Sequence, residues 1–137
     1  MFAEFEKLIH ALEESGAALT LEVFKNEYHR LLAAYFGPGV MLDPELDLEC
    51  LRIPHFYNAF YVYKYATGVS AAIALAERVL SGVPGAIEAY LSFLKSGGSR
   101  FPLETLQAAG VDMRTPAPVE STLQLFDRRL NELEELL

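Results

Sequence analysis

The sequence predicts an all-α fold, and two observations carry that prediction. Apolar residues recur at helical spacing along almost the whole chain, and no stretch alternates apolar and polar residues for long enough to form a strand. With 137 residues, 52% of them hydrophobic and 22% charged, the chain has the composition of one soluble domain with a buried core. We therefore expect residues 1–137 to form a single helical unit, a multi-helix bundle.

The first two helices are predicted from their apolar spacing and from the residues at their ends. Gly16 ends the first helix, and Thr20 is the expected N-cap of the second. A short helical segment begins at Asp43-Pro44-Glu45, where proline suits the first position. The first helix has its apolar stripe at Phe2, Phe5, Ile9 and Leu12, and the second at Leu21, Phe24, Tyr28, Leu31 and Tyr35.

The remaining helices lie between proline and glycine residues. The longest is predicted from near His55, just after Pro54, to about Leu80. Two shorter helices follow over residues 85–95 and 102–109, and Gly110 closes the second of them. The last helix has apolar residues at alternating steps of four and three: Val119, Leu123, Phe126, Leu130, Leu133 and Leu137.

Charge and cysteine content exclude several classes of protein. The net charge of -8 argues against nucleic acid or an anionic membrane surface as the main partner, since both need a cationic face. The longest uncharged apolar stretch, residues 65–76, is too short to span a bilayer, which needs about 20 residues. A single cysteine, Cys50, fits a reducing compartment, and the first residues lack the features of a secretory signal. We expect a cytoplasmic protein.

The densest unusual segment is aromatic. Six of the ten residues from Phe56 to Tyr65 are aromatic. On a continuous helix Phe56, Phe60 and Tyr63 would share one face, and Tyr57, Tyr61 and Tyr65 the adjacent one. Two interpretations stand: a core stripe whose hydroxyls reach the surface, or one wall of a ligand cleft with His55 and the phenols directed inward.

No complete catalytic set lies within the chain. The histidines are His10, His29 and His55, and none belongs to an H-E-x-x-H sequence. His10 and Glu14 are one turn apart, but two ligands do not make a metal site, and a solvated helix face is the expected setting. Cys50 is expected to be a partly buried thiol. The chain alone is therefore predicted to hold no metal.

Four segments together resemble a known family. They are residues 53–57 with 60–68 (IPHFY and FYVYKYATG), residues 90–99 (YLSFLKSGGS), residues 109–113 (AGVDM) and the opening MFAEFE. In this order they resemble the C-terminal part of the catalytic domain of oligoendopeptidase F, in the thimet-oligopeptidase superfamily. One departure is the lack of tryptophan, which many members have near the position of Cys50.

The resemblance implies an all-helical zinc metallopeptidase whose deep channel admits only short peptides. In that superfamily the zinc is held by the two histidines of H-E-x-x-H and by a later glutamate, all of which would lie upstream of Met1. The resemblance therefore implies zinc in the parent family and none bound by this chain alone. Without the metal and its general base, the chain is predicted to be inactive by itself.

The resemblance also assigns roles to the aromatic segment. A histidine and tyrosines downstream of the metal site line the cleft and donate hydrogen bonds to the substrate and to the developing oxyanion. By position, His55 and Tyr63 fit the catalytic role best, with Tyr61 next, and His55 and Tyr57 fit substrate binding. The alternative is a helical interaction module without chemistry, in which residues 119–137 and other exposed apolar surface drive self-association.

Overall fold

The computed structural model describes all 137 residues, and none of them lies in a β-strand, which confirms the all-α prediction. None of the helices combines the length and the apolar character needed to cross a lipid bilayer. Two segments are 3₁₀-helices, Pro44–Leu48 and Pro54–Tyr57. The α-helices are α1 (Phe2–Glu14), α2 (Leu21–Phe36), α3 (Glu49–Arg52), α4 (Tyr63–Leu80), α5 (Ala86–Ser96), α6 (Pro102–Ala108) and α7 (Ala117–Glu134).

Several helix ends follow the predicted local signals. The Val23 N–H donates a 3.3 Å hydrogen bond to Thr20 Oγ1, so Thr20 is the N-cap of α2. Gly16 and Gly110 follow α1 and α6 with φ of 85° and 87°, left-handed values that glycine adopts without a Cβ penalty. These ends could be predicted because each depends on its own sequence neighbours.

The chain packs as two compact units. Unit 1 is Met1–Lys64 and unit 2 is Tyr65–Leu137. Helix α4 begins with the last two residues of unit 1 and continues into unit 2. The core of unit 1 is built on Phe5 and Tyr28, which are fully buried and meet edge to face, with ring centroids 5.1 Å apart.

The predicted stripe of α2 is only partly correct. Tyr28 and Leu31 are buried as expected, but Leu21 and Tyr35 are more than half exposed, and Leu32 is buried in their place. The face with Tyr28, Leu31 and Leu32 is the one that joins the core of unit 1, because α1 and the 3₁₀-helix Pro44–Leu48 both pack against α2.

The predicted helix from His55 to Leu80 is wrong over its first eight residues. Pro54–Tyr57 is a 3₁₀-helix, residues 58–62 form a loop, and α4 begins only at Tyr63. Phe60 in this loop has φ of 56°, a left-handed conformation that costs an L-residue about 1–2 kcal/mol and cannot continue an α-helix. Phe56, Phe60 and Tyr63 therefore do not share one helix face.

Unit 2 has a small core, in which Leu75 of α4 packs with Ala109 and Val111 after α6. Helix α7 contacts α4 through hydrogen bonds from Ser121 and Arg128 to the Glu77 carboxylate. The apolar stripe of α7 lies almost half a turn away, on the opposite side of the helix from these contacts. All six stripe residues are between 41% and 99% exposed: Val119, Leu123, Phe126, Leu130, Leu133 and Leu137.

Candidate functional site

His55 lies in the 3₁₀-helix Pro54–Tyr57, and its ring stacks on Tyr61. The two ring centroids are 5.5 Å apart and the ring planes differ by 21°. Lys64 Nζ lies 4.9 Å from the centroid of the same Tyr61 ring, within the range of a cation–π contact. The structure thus brings together two of the predicted site residues, His55 and Tyr61, beside a positive charge.

Tyr57 follows His55 by two residues and has a different environment. Its side chain is mostly exposed, and its hydroxyl donates a 2.7 Å hydrogen bond to the backbone oxygen of Leu51. The proton of this phenol is therefore already used within the chain. The hydroxyl oxygen remains able to accept a hydrogen bond, and the exposed ring can contact an apolar group.

Tyr63 is the first residue of α4, and its side chain is 48% exposed. No hydrogen bond engages the Tyr63 hydroxyl within the chain. A phenol in this state is a neutral donor that is available to a bound molecule.

A residue that the sequence analysis missed, Glu6, supports the loop between His55 and Tyr63. Glu6 is 2% exposed, and its Oε1 accepts a 2.7 Å hydrogen bond from the Phe60 N–H. The available signal was its position, because Glu6 borders the apolar stripe that Phe5 and Ile9 define on α1 and is buried with them. A carboxylate on an apolar face indicates a buried partner.

His10 also differs from the prediction of a solvated helix face. Its ring stacks on Phe60, with centroids 4.4 Å apart and planes 28° apart, and it is half-buried. The loop that brings Phe60 to this ring is the part of the chain that was predicted to be helical. The prediction failed because it placed Phe60 on the wrong element.

The described residues do not form a zinc site. No group of three or more His, Cys, Asp or Glu side chains converges where a metal ion could be held. His29 Nδ1 lies 2.8 Å from Asp47 Oδ1, a hydrogen-bonded pair that supplies two possible ligands and no third. Cys50 is buried, and burial raises the pKa of its thiol, so it is a core residue rather than a nucleophile.

A separate apolar groove lies within unit 2. It has a volume of about 780 Å³, and its walls are formed by residues of α4, α5 and α6, including Leu75, Tyr90 and Leu106. None of the predicted site residues lines it. The groove and the aromatic loop are therefore different features of the chain.

Comparisons with known proteins agree on one family. The family model for peptidase family M3 matches residues 1–125. Oligopeptidase PepF of Bacillus subtilis is 49% identical over all 137 residues, and chromosomal oligoendopeptidase F of Lactococcus lactis is 44% identical over 136 residues. The crystal structure of oligoendopeptidase F from Enterococcus faecium superposes with a TM-score of 0.92 at 50% identity over 98% of this chain.

The helical fold is that of the peptidase family M3. The chain belongs to peptidase family M3, with oligoendopeptidase F among its relatives, as the sequence predicted. It spans 20% of the length of the Bacillus protein, 23% of the Lactococcus protein and 26% of the Enterococcus structure. The family model thus identifies the family of this chain.

Proposed function

We propose that this chain supplies the peptide-binding and oxyanion-stabilising side chains of a zinc-dependent oligoendopeptidase that cleaves short peptides. His55, Tyr63 and Tyr61 act on the reacting carbonyl, and Tyr57 with His55 contacts the bound peptide. The observation that carries the proposal is Tyr63, a half-exposed residue whose hydroxyl has no hydrogen bond within the chain and which follows Tyr61 of the His55–Tyr61 stack by two residues.

The chemistry follows from the type of donor. A phenol is neutral at working pH, and the hydrogen bond that it donates strengthens as negative charge develops on the carbonyl oxygen. One such donor contributes about 3 kcal/mol to stabilisation of the transition state. In this proposal the imidazole of His55, which lies flat against Tyr61, donates its N–H to a peptide carbonyl.

In this proposal the zinc ion and the general base belong to residues outside these 137. The purified chain is accordingly expected to show no turnover of a quenched fluorescent peptide, with or without added zinc. Measurable cleavage that follows the chain through purification would contradict this expectation of inactivity.

The roles of the site residues are tested in a chimera. The chain replaces the aligned residues of Bacillus subtilis oligopeptidase PepF, to which it is 49% identical. Tyr63→Phe is expected to lower kcat about 100-fold with little change in KM, since the phenol acts on the developing charge. Tyr35→Phe is the matched control, because Tyr35 is an exposed phenol bonded to Glu4. Wild-type kcat in both Tyr63→Phe and His55→Ala would exclude the proposed roles.

A second candidate function is an interaction module, and the exposed stripe of α7 favours it. The stripe is flanked on one side by the acids Glu120, Asp127 and Glu134, and Arg129 lies on its other side. Parallel pairing with a second copy would bring Arg129 near Glu134 of that copy, whereas antiparallel pairing would set the acidic flanks against each other.

Sedimentation equilibrium distinguishes this candidate. If α7 pairs, Leu130→Lys is expected to shift the purified chain from dimer to monomer. Leu80→Lys is the control, because it makes the same change at an exposed leucine outside α7. A wild-type chain that stays monomeric at millimolar concentration would exclude self-association through α7.

A further inference from the structure

The first helix holds the loop that separates the site residues. Residues 58–62 connect the 3₁₀-helix that carries His55 to the start of α4 at Tyr63. We propose that Glu6 is a positioning residue of the site: its buried carboxylate fixes the backbone of this loop and so sets the positions of His55, Tyr61 and Tyr63. This inference rests on the function proposed above for those three side chains.

Because the Glu6 carboxylate is buried, it needs hydrogen-bond partners within the chain. A carboxylate that is 2% exposed has given up most of its hydration and needs hydrogen bonds in return. Glu6 Oε1 accepts one from the Phe60 N–H at 2.7 Å, across 54 residues of sequence. An apolar side chain would complete the stripe of α1 without this cost. The carboxylate is therefore explained by the loop and not by the stability of the helix.

The loop needs an anchor at this residue. Phe60 has φ of 56°, which an L-residue adopts only where its surroundings hold it. The Asn58 N–H bonds to the His55 oxygen and the Tyr61 N–H to the Asn58 oxygen, both at 3.1 Å. These turns connect Phe60 directly to the residues on either side. A backbone change at Phe60 therefore moves the Tyr61 ring off His55.

His10 adds a second contact to the same loop residue. It lies one helical turn after Glu6 on α1, and its ring covers the Phe60 ring at 4.4 Å between centroids. Helix α1 thus holds both the backbone and the side chain of Phe60. Two contacts from one rigid helix restrict translation and rotation of the loop more than either contact does alone.

The 137-residue chain itself allows a direct test by NMR. In Glu6→Leu, the protection of the Phe60 amide against hydrogen exchange is expected to fall about tenfold, because this amide loses its hydrogen bond to the Glu6 carboxylate. The contacts between the His55 and Tyr61 rings should disappear with it. Glu6→Gln keeps an acceptor oxygen and should recover part of both signals.

Glu4→Leu is the matched control for these variants. Glu4 lies on the same helix and accepts a hydrogen bond from Tyr35, so its loss should leave the Phe60 amide and the His55–Tyr61 contacts unchanged. If Glu6→Leu does not fold, Glu6→Met carries the test, because its side chain is close to glutamate in length and has no acceptor oxygen. Wild-type protection of Phe60 in every folded Glu6 variant would overturn the proposal.

Kinetics in the PepF chimera separate this proposal from the function on which it rests. Glu6→Leu is expected to lower kcat about tenfold with little change in KM, and Glu6→Gln is expected to restore part of the loss. If Tyr63→Phe and His55→Ala lower kcat but Glu6→Leu does not, the positioning role is wrong and the proposed function stands. If none of the three lowers kcat, the proposed function fails, and the positioning role fails with it even where NMR shows an anchored loop.

Discussion

The Tyr28 hydroxyl donates a 2.8 Å hydrogen bond to Glu49 Oε2 and thereby joins the middle of α2 to the start of α3. Tyr28 is fully buried among apolar side chains. Burial raises the pKa of this phenol above its usual value, and the hydrogen bond to the Glu49 carboxylate raises it further. This bond is a buried polar connection in unit 1, as is the bond from the Phe60 N–H to Glu6.

Removing the Tyr28 hydroxyl should destabilise the chain. We expect Tyr28→Phe to lower the free energy of unfolding by about 1–3 kcal/mol, because Glu49 loses a donor in a partly buried place. Urea unfolding followed by circular dichroism measures the change. Tyr35→Phe removes an exposed hydrogen bond to Glu4 and should cost less than about 0.5 kcal/mol. Equal effects of the two substitutions would refute the assigned difference in burial.

The same tyrosine predicts a loss of stability at alkaline pH. Because the pKa of Tyr28 is raised in the folded chain, the unfolded chain releases this proton first, near its ordinary pKa of 10.0. The stabilisation is therefore complete below pH 10 and is lost as pH rises above that value. Urea midpoints measured from about pH 8 to 11.5 should fall at the upper end, and fall less steeply in Tyr28→Phe.

Two glycines in unit 2 should respond to alanine in opposite ways. Gly110 has φ of 87°, and a Cβ there would lie 2.5 Å from the Arg78 guanidinium, so Gly110→Ala should cost about 1–2 kcal/mol. Gly68 lies inside α4 with no atom within 4 Å of its Cβ position. Gly68→Ala should therefore stabilise by about 0.5–1 kcal/mol through helix propensity. Thermal unfolding should show a lower melting temperature for Gly110→Ala and a higher one for Gly68→Ala than for the wild-type chain.

The Glu77 carboxylate connects α4 to α7 and should titrate at low pH. The hydrogen bond from the Ser121 hydroxyl lowers its pKa most, and the bond and charge of Arg128 lower it further. Its stabilisation is therefore present above pH 4.5 and is lost as pH falls through the lowered folded value. Carbon-13 NMR titration should show the Glu77 pKa rising in Ser121→Ala. An unchanged pKa in that variant would exclude the serine as the main cause.

Local sequence signals account for most of the fold. Thr20 caps the start of α2 and Gly110 follows the end of α6 as predicted, because capping depends on adjacent residues. The loop at residues 58–62 was missed because its left-handed Phe60 depends on Glu6, which is 54 residues away. Rules based on apolar spacing describe one helix or strand at a time, whereas the conformation of this loop depends on a contact with the distant helix α1.

The candidate site was predicted as a group of residues but not as an arrangement. The core interpretation of the aromatic segment holds for Phe56, whose ring lies 5.3 Å from that of Phe5. The sequence could not predict the stacking of Tyr61 on His55 or the bond from Tyr57 to Leu51. Both contacts depend on how the chain turns on either side of the 3₁₀-helix Pro54–Tyr57. The resemblance to the family identified the candidate residues, and the loop at residues 58–62 determines which of them contact each other.

The distance in sequence between Glu6 and Phe60 has a consequence for synthesis. Helix α1 leaves the ribosome with a carboxylate on its apolar face, and the group that binds it is added 54 residues later. During that interval the nascent helix is poorly suited to settle against α2, since an unsatisfied charge would enter the core. Unit 1 is therefore expected to close around this carboxylate only after the tyrosine segment, residues 57–65, has been synthesised.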